Sequence, residues 1–243
     1  MTISEFSNGF DTLLSSYSRK GMFGDESTSY DLVFDEYEKS YFLTQAQEEI
    51  VIGLYNGRNP LGESFEETEE LRRYLSNLVC EATLDPISSS NGYPIGMNSH
   101  SKFFTLPSDL WFITYEAVTV TDSTCPSTSV LDVLPVRQDE YQRIRKNPFR
   151  GANNRRALRL DLADGVIEII SKKDVESYYI RYLKSLTPIV LEDLDGDVSV
   201  GGEQEKSPCE LHESLHQKVL ERAVEKALQS KGIAIARQSK QQD

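Results

Sequence analysis

Hydrophobic residues recur at helical spacing in three segments of the first third of the chain. Each segment begins with two residues, three positions apart, that can form a capping box. The three pairs are Thr2 with Glu5, Asp35 with Glu38, and Ser64 with Glu67. The middle segment, residues 34–57, is apolar around most of its circumference and ends at Asn56-Gly57, a dipeptide suited to a left-handed stop. We therefore predict three N-terminal helices, the second being central and covered by more than one neighbour.

The spacing within each segment predicts which residues are buried. In the first helix these are Ile3, Phe6, Phe10, Leu13 and Leu14. In the central helix they are Phe42, Leu43, Ala46, Ile50 and Leu54, with Glu38, Gln45 and Glu49 facing water. In the third helix they are Leu71, Tyr74, Leu75, Leu78 and Val79.

Beyond residue 103 the hydrophobic period changes to two, which is typical of β-strands. Strands are predicted at residues 111–120, 130–136, 177–184 and 189–191, and a hairpin at 157–171 turns at Asp164-Gly165. A short helix is predicted from Gln138 to Lys146, ended by Asn147-Pro148. Apolar residues between Leu215 and Leu228 return to helical spacing and predict a last helix.

The fold class that follows is α+β. It is a helical bundle of three N-terminal helices plus a C-terminal helix, with an inserted, mainly antiparallel β domain. The predicted ranges are 1–84 for the N-terminal helical bundle, 85–102 for a linker loop, 103–191 for a β-rich domain with one short helix, 192–209 for an acidic loop, 210–232 for the C-terminal helix and 233–243 for a flexible tail. The acidic loop is rich in glycine as well, so we expect it to be mobile.

Composition narrows the function classes. The 243-residue chain has a net charge of −13 at pH 7, which argues against a surface that coats nucleic acid. No apolar run approaches the roughly 18 residues of a membrane span, and the N-terminus lacks the features of a secretion signal, so we expect no membrane association. Cys80, Cys125 and Cys209 fit neither a disulfide framework nor a CxxC metal site, so we expect reduced thiols.

Residues His212 to His216 spell HExxH, the motif of zinc metallopeptidases. That chemistry needs two imidazoles one helical turn apart and a glutamate to activate water. The surroundings differ from such enzymes, because Pro208 places His212 at a helix start, and Val219 and Arg222 stand where metzincins have a glycine and a third histidine. We predict no catalytic, cofactor-binding or metal-binding residues, and keep a zinc-dependent hydrolase using residues 212–216 as the alternative function.

Asp193, Asp195 and Asp197 are spaced like ligands of a calcium loop. In an EF-hand the glycine follows the third ligand, whereas here Gly196 interrupts the series. A bound divalent ion stays open, and the pattern favours a solvated acidic turn.

Basic residues are concentrated between positions 137 and 159 of this acidic chain: Arg137, Arg143, Arg145, Lys146, Arg150, Arg155, Arg156 and Arg159. Arginine suits bidentate, partly desolvated pairing with carboxylates, so the segment predicts a surface that docks a neighbouring subunit. The predicted contact residues are Arg143, Arg145, Arg150, Arg155 and Arg156. Two alternatives stay open: ion pairs with acidic helices of the same chain, and nucleic-acid binding, for which the exposed aromatic residues that usually accompany it are not expected.

Four stretches of the chain resemble one family, and they occur in the same order as in that family. They are FDEYEKSYFLTQAQEEIVIGLYNG at 34–57, SKFFTLPSDLWFITYEAVTV at 101–120, the arginine-rich stretch and hairpin at 136–171, and LTPIVLED at 186–193. They resemble head–tail connector (ring or adaptor) structural proteins of tailed bacteriophages, above all those of crAss-like phages.

The resemblance implies a non-enzymatic virion protein, assembled in the host cytoplasm, that forms a homo-oligomeric and dodecameric ring beneath the portal protein. Other ring and tail proteins would stack below it, and genomic DNA would pass through the lumen without specific binding. Identical copies in a ring make a head-to-tail contact, for which one acidic and one basic patch per subunit is suited. The tail Gly232–Asp243 would dock on a partner. A non-viral adaptor for an acidic protein is a third possibility and predicts a monomer.

Overall fold

A computed structural model of the chain describes residues 1–19, 32–58, 67–87, 100–122 and 127–231. The predicted Ser64 cap, most of the 85–102 linker, Cys125 and the tail 233–243 lie outside these ranges. The described residues form a mixed α+β structure. Its helices are α1 (Ile3–Arg19), α2 (Glu36–Tyr55), α3 (Glu69–Tyr74), α4 (Tyr141–Arg145) and α5 (Glu213–Ser230), with a 3-10 helix at Ser76–Leu78. None of the helices within these ranges is both long and apolar enough to span a membrane.

The strands are β1 (Val79–Leu84), β2 (Lys102–Thr105), β3 (Leu110–Thr121), β4 (Thr128–Pro135), β5 (Arg156–Asp161), β6 (Val166–Ile170) and β7 (Asp174–Lys184). They form one sheet in the order β1-β7-β3-β4-β5-β6-β2. Neighbouring strands are antiparallel except β4 and β5, which run parallel. The sheet curls, since Ile87 just beyond β1 donates its N–H to the carbonyl of Phe103 in the opposite edge strand (2.8 Å).

The chain divides into two compact units. One consists of Met1–Leu78 with Leu186–Asp243 and contains α1, α2, α3 and α5. The other, Val79–Ser185, contains the sheet and α4. The core inside the sheet includes Phe104, Val118, Ile167, Tyr178 and Ile180, all at most 1% exposed.

Several local predictions are confirmed. Thr2 with Glu5 and Asp35 with Glu38 form reciprocal capping boxes at the starts of α1 and α2. Gly57, just beyond α2, has φ +69°. The β5–β6 hairpin turns at Asp164 and Gly165 (φ +58° and +69°), and the N–H of Val166 donates to the carbonyl of Ala163 (3.1 Å).

The third helix differs from its prediction. α3 begins after Thr68, whose hydroxyl accepts a hydrogen bond from the N–H of Leu71, and it ends at Tyr74. Val79, predicted within this helix, starts β1 instead. The physical reason is that burial alternates from one residue to the next from this point on. Cys80 and every second residue after it in β1 pack toward the sheet core, whereas Glu81 points to solvent.

The buried face of α2 is only partly the predicted one. Leu43, Ala46 and Leu54 are buried as expected. Four polar residues are buried as well: Lys39, Ser40, Thr44 and Gln47. Their burial follows from hydrogen bonds to a distant part of the chain, which helical periodicity does not reveal.

Ser40, Thr44 and Gln47 form a polar ladder that binds the segment Thr187–Leu191. The Ser40 hydroxyl accepts a hydrogen bond from the N–H of Leu191 (3.0 Å). The Thr44 hydroxyl accepts a hydrogen bond from the N–H of Ile189 (3.0 Å) and donates one to the carbonyl oxygen of Ile189 (3.3 Å). The Gln47 amide donates to the carbonyl of Thr187 (2.8 Å). Alternate residues of an extended chain advance about 6.6 Å, close to the 5.4 Å pitch of a helix, so successive turns of α2 meet alternate backbone groups.

This ladder corrects the strand predicted at residues 189–191. Among the described residues the segment makes only an isolated bridge, between Val190 and Ser207, and the N–H groups of Ile189 and Leu191 bind side chains of α2. Gln47 also holds Cys209, whose Sγ lies 3.8 Å from the amide oxygen. Burial raises the pKa of the Cys209 thiol to about 11, so it is protonated and unreactive near neutrality.

Two ion-pair clusters join the helices of this unit. Lys39 of α2 is 4% exposed, and its ammonium group contacts Asp11 of α1 (2.8 Å) and Glu36 (2.9 Å). Burial lowers the pKa of Lys39, but its hydrogen bonds to both carboxylates outweigh that effect and raise it overall. On the α2–α5 contact, Glu49 pairs with Arg222 and with Lys226 (2.8 Å).

Thr44→Val tests the polar ladder. The substitution keeps the shape of the side chain but leaves the amide and carbonyl of Ile189 without their partner, so we expect a loss of about 1–3 kcal/mol in the free energy of unfolding, measured by urea denaturation. Thr12→Val, at an exposed position of α1, is the control and should change it by less than about 0.5 kcal/mol. Equal effects of the two substitutions would show that the ladder does not stabilise the fold.

Glu49→Gln tests the ion pairs between α2 and α5. The hydrogen bond from Arg222 lowers the pKa of Glu49 below its ordinary value of 4.5, so the pairing stabilises the fold above that pH and is lost as the pH falls through the lowered pKa. We expect the difference in the free energy of unfolding between wild type and Glu49→Gln to be larger at pH 7 than at pH 3. Glu48→Gln, at the neighbouring exposed position, is the control. A difference that stays constant between the two pH values would contradict the assignment.

Candidate subunit interface

The parallel pair β4–β5 determines the path of the arginine-rich segment. Two parallel neighbours require the chain to cross from one end of the pair to the other, and residues 136–155 make this crossover. The predicted helix Gln138–Lys146 is present in shortened form as α4. Tyr141 and Ile144 of α4 pack in an apolar cluster with Val136, Leu158, Leu160 and Ile170. The crossover is thus fixed to the sheet by one side, while the other side faces solvent.

All five predicted interface arginines lie on this crossover or at its end. Arg143 and Arg145 are on α4, Arg150 is in the turn that follows, Arg155 precedes β5 and Arg156 begins it. We call the exposed surface formed by these five residues together with Phe149 the basic surface. The structure therefore brings the predicted residues onto one continuous connection.

The arginines differ in how far they are paired within the chain. Arg143 forms an ion pair with Glu140 at the start of α4. Arg156 is half-buried and donates to the carbonyl of Phe149 (3.1 Å). The other three are exposed, and none of them has a carboxylate within ion-pair distance in the described part of the chain. Their charge is available to a second molecule.

Two asparagines shape the turns of the basic surface. The Asn147 side chain accepts the N–H of Phe149 (2.9 Å), and the Asn153 side chain accepts the N–H of Arg155 (2.8 Å). Gly151 allows the chain to pass the end of α4, since a Cβ there would lie 3.0 Å from the carbonyl oxygen of Asn147. The surface is consequently preorganised, which lowers the entropy cost of docking.

Phe149 is the residue of this surface that the sequence analysis missed. Its side chain is 85% exposed, so the expectation that exposed aromatic residues are lacking here is wrong. A large exposed apolar side chain next to arginines is the composition of a protein–protein hot spot. The signal in the sequence was an aromatic residue directly after Asn147-Pro148, outside any helical or strand period.

Intrachain pairing accounts for other basic residues of the segment. Arg137 pairs with Asp139 (2.8 Å). Arg159, with 11% of its side chain exposed, contacts Glu116 (2.8 Å), and the Tyr178 hydroxyl donates to the same carboxylate (2.6 Å). Burial, followed by the charge of Glu116, raises the pKa of Tyr178, so the phenol remains protonated. The Arg159 Nε lies 2.9 Å from Asp161, an ion pair without hydrogen-bond alignment.

The two histidines of the HExxH sequence take part in hydrogen bonds within the chain. His212 is the N-cap of α5, and its Nδ1 accepts the N–H of Ser214. His216 is buried; its Nε2 lies 2.9 Å from the carbonyl of Leu211, and its Nδ1 lies 2.6 Å from the amino group of Met1. Burial lowers the pKa of His216. Both ring nitrogens of His216 are therefore occupied, and no group of three or more metal-binding side chains occurs among the described residues.

Residues 192–206 of the predicted acidic loop, which we call the acidic loop from here on, are joined to one another by hydrogen bonds. The N–H of Leu194 donates to the carbonyl of Gln204 (2.9 Å), and the Gln204 amide donates to the carbonyl of Gly196 (2.8 Å). Val200 and Glu203 exchange two backbone hydrogen bonds (3.0 Å each). Asp193, the first residue of the calcium-like series, accepts the N–H of Lys206 (2.8 Å), so it serves the loop's own structure.

Comparison with known proteins gives matches along nearly the whole chain. The family model described as phage tail ring protein 3/4 matches residues 1–239. Ring protein 3 of Bacteroides phage crAss001 is 44% identical over 234 residues, which cover 95% of this chain and 96% of that protein. Ring protein 4/5 of the same phage is 28% identical over 236 residues, which cover 93% and 92%.

A comparison of Arg159→Met with Arg155→Met tests which arginine stabilises the fold and which is only exposed on the surface. Removing Arg159 leaves the carboxylate of Glu116 buried without its cation, so we expect a loss of about 3–5 kcal/mol in the free energy of unfolding. Arg155 is exposed, and its replacement should change that free energy by less than about 0.5 kcal/mol. Thermal and urea unfolding of the two variants measures the difference, and comparable losses would contradict the assignment of Arg155 to a free surface.

Proposed function

Because the chain belongs to the phage tail ring protein 3/4 family, we propose that it is a structural virion protein that forms a ring in the head–tail connector. In this proposal identical copies assemble head to tail, with twelve in the ring. The ring docks to the portal protein or to adjacent ring and tail proteins, and it is assembled in the host cytoplasm before it becomes part of the virion. The protein has no enzymatic activity in this role.

The observation that carries the proposal is the basic surface. Phe149 and three arginines that have no ion-pair partner among the described residues lie on a preorganised connection in a chain with a net charge of −13. Arginine and aromatic side chains are the residues that dominate protein–protein contacts, and docking onto carboxylates of a neighbour would give these arginines partners. We assign Arg143, Arg145, Arg150, Arg155 and Arg156 to contacts with a neighbouring subunit or a stacked ring.

The acidic balance of the chain supports a passive role toward DNA. A channel lined by negative charge repels phosphates, so the genome would slide through it without being held. In the proposed ring, the basic residues form contacts between proteins, and the surfaces that face the passing DNA carry the remaining negative charge.

Mass photometry of the purified chain, alone and mixed with the portal protein of its phage, tests the ring. We expect a ring-sized species or a complex with the portal, without stoichiometric zinc by elemental analysis. A monomer that does not bind the portal protein and carries about one zinc per chain would overturn the proposal in favour of the hydrolase using His212 and His216.

The same assay with Arg155→Glu and Arg156→Glu combined tests the assigned residues. Charge reversal replaces attraction to carboxylates by repulsion, so assembly should be lost while the unfolding temperature stays near that of wild type. Lys172→Glu, an exposed reversal in the same unit, is the control and should assemble normally. Normal assembly of the double variant would contradict the role of the arginines.

A further inference from the structure

We infer that the basic surface of one copy docks onto the acidic loop, residues 192–206, of the next copy around the ring. This inference rests on the proposed function and adds its partner surface. The two patches lie in different compact units of the chain, the basic surface in Val79–Ser185 and the acidic loop in the other.

The acidic loop carries negative charges that can pair with the arginines of the basic surface. It contains six carboxylates and one lysine: Glu192, Asp193, Asp195, Asp197, Glu203, Glu205 and Lys206. Among the described residues, the only ion pair within the loop joins Asp193 to Lys206 (3.5 Å). The other five carboxylates are exposed and take part in no ion pair within the described chain. Each copy therefore presents an excess of unpaired carboxylates and an excess of unpaired guanidinium groups.

The loop holds these carboxylates in a fixed arrangement. The side-chain amide of Gln204 donates hydrogen bonds to the carbonyls of Gly196 and Val198, which join the two sides of the loop. Val200 is buried (2% exposed). Glycines with positive φ form its bends, at Gly196 (+73°), Gly201 (+59°) and Gly202 (+95°). Two preformed surfaces associate with a smaller entropy cost than two flexible ones.

Both patches also expose one large apolar side chain within a charged surround. Val198 of the acidic loop is 45% exposed, and Phe149 of the basic surface is 85% exposed. An apolar contact ringed by charges of opposite sign matches the anatomy of a specific interface, with a dry centre and a polar rim. The charges alone would also attract other ions, whereas this apolar pair favours a protein surface.

The distribution of charge predicts the symmetry of the contact. A two-fold contact between identical basic surfaces would place arginines against arginines and is repulsive. A basic surface that meets a different, acidic surface gives a heterologous contact, which leaves one free patch at each end and closes only as a ring. Nucleic acid is a weaker partner for the basic surface, because a chain of net charge −13 repels phosphates at longer range.

The test uses two triple charge reversals of exposed residues and their combinations. The basic variant combines Arg145→Glu, Arg150→Glu and Arg155→Glu. The loop variant combines Asp195→Lys, Asp197→Lys and Glu203→Lys. A control variant reverses three exposed charges elsewhere: Glu48→Lys, Glu69→Lys and Lys172→Glu. Mass photometry under conditions in which wild type forms its ring measures assembly, and circular dichroism checks that each variant is folded.

Each triple variant should lose at least tenfold in self-association, and the control should assemble as wild type does. Mixing the basic and loop variants should restore assembly with the two variants alternating, because each contact then joins one acidic and one basic patch. The variant with all six reversals should recover the ring, since its charges are exchanged but still complementary.

Carbodiimide cross-linking of the wild-type chain gives a second measurement that needs no substitution. Lys146 is exposed beside the arginines, so the reagent should join it to a carboxylate of the acidic loop, detected by mass spectrometry. In a mixture with nitrogen-15-labelled protein, this cross-link should join a labelled to an unlabelled copy. A ring in which Lys146 links only to other carboxylates would overturn the inference.

Three further outcomes separate this inference from the proposed function. If the basic variant fails to assemble while the loop variant forms normal rings, the ring stands and the acidic loop is not the partner. If both variants form normal rings and the basic variant instead loses binding to a short DNA duplex, the basic surface binds phosphates and the inference is wrong. A wild-type chain that forms no ring, either alone or with the portal, contradicts the proposed function itself.

Discussion

The polar ladder on α2 is the interaction on which the helical unit depends. Ser40, Thr44 and Gln47 bind the backbone of Thr187–Leu191, where the chain has just left the sheet unit and must be led toward α5. Residues 189–191 are buried, so their amide and carbonyl groups need partners, and among the described residues the backbone supplies only the bridge between Val190 and Ser207. A helix can bind an extended backbone segment in this way only if its side chains present hydrogen-bonding groups at successive turns, and α2 does so. The burial of polar residues on a helix that is otherwise apolar follows from this requirement.

A second constraint, the parallel pairing of β4 and β5, explains why the arginines are displayed together. The crossover that this pairing demands needs only a few apolar anchors, so most of its side chains are free to face outward. Strand parity then separates two arginines of β5. Arg156 and Arg159 are three positions apart, so they point to opposite faces of the sheet, and only Arg159 reaches the buried carboxylate of Glu116. The same residue type thus forms a buried ion pair on one face and holds the carbonyl of Phe149 on the other.

Local chemistry was predictable from the sequence, whereas long-range pairing was not. The capping boxes of α1 and α2 and the Asp164-Gly165 turn depend on residues within four positions of one another, and the structure confirms them. The resemblance to ring proteins of crAss-like phages is confirmed as well, because a family model and a 44% identical relative match nearly the whole chain. The ladder on α2 joins residues that are far apart in sequence, so helical periodicity assigned its polar side chains no partner. Val79 was predicted to lie in a helix because it stands where the helical hydrophobic period ends and the strand period begins, and an apolar residue there fits both. The positions of the basic surface were predicted, but the exposure of Phe149 depends on a turn fixed by Asn147.

The pairing of β1 with β7 has a consequence for how this protein can vary. Val79, at the start of the sheet unit, lies opposite Leu183, near its end, so the unit begins and finishes on adjacent antiparallel strands. Neighbouring residues in such a pair are only about 5 Å apart, a gap that one or two residues can bridge. The unit is therefore a cassette that can be removed, replaced or enlarged while the two chain ends it leaves behind stay close enough to be rejoined. Related proteins can then share a helical frame and differ in what is inserted into it.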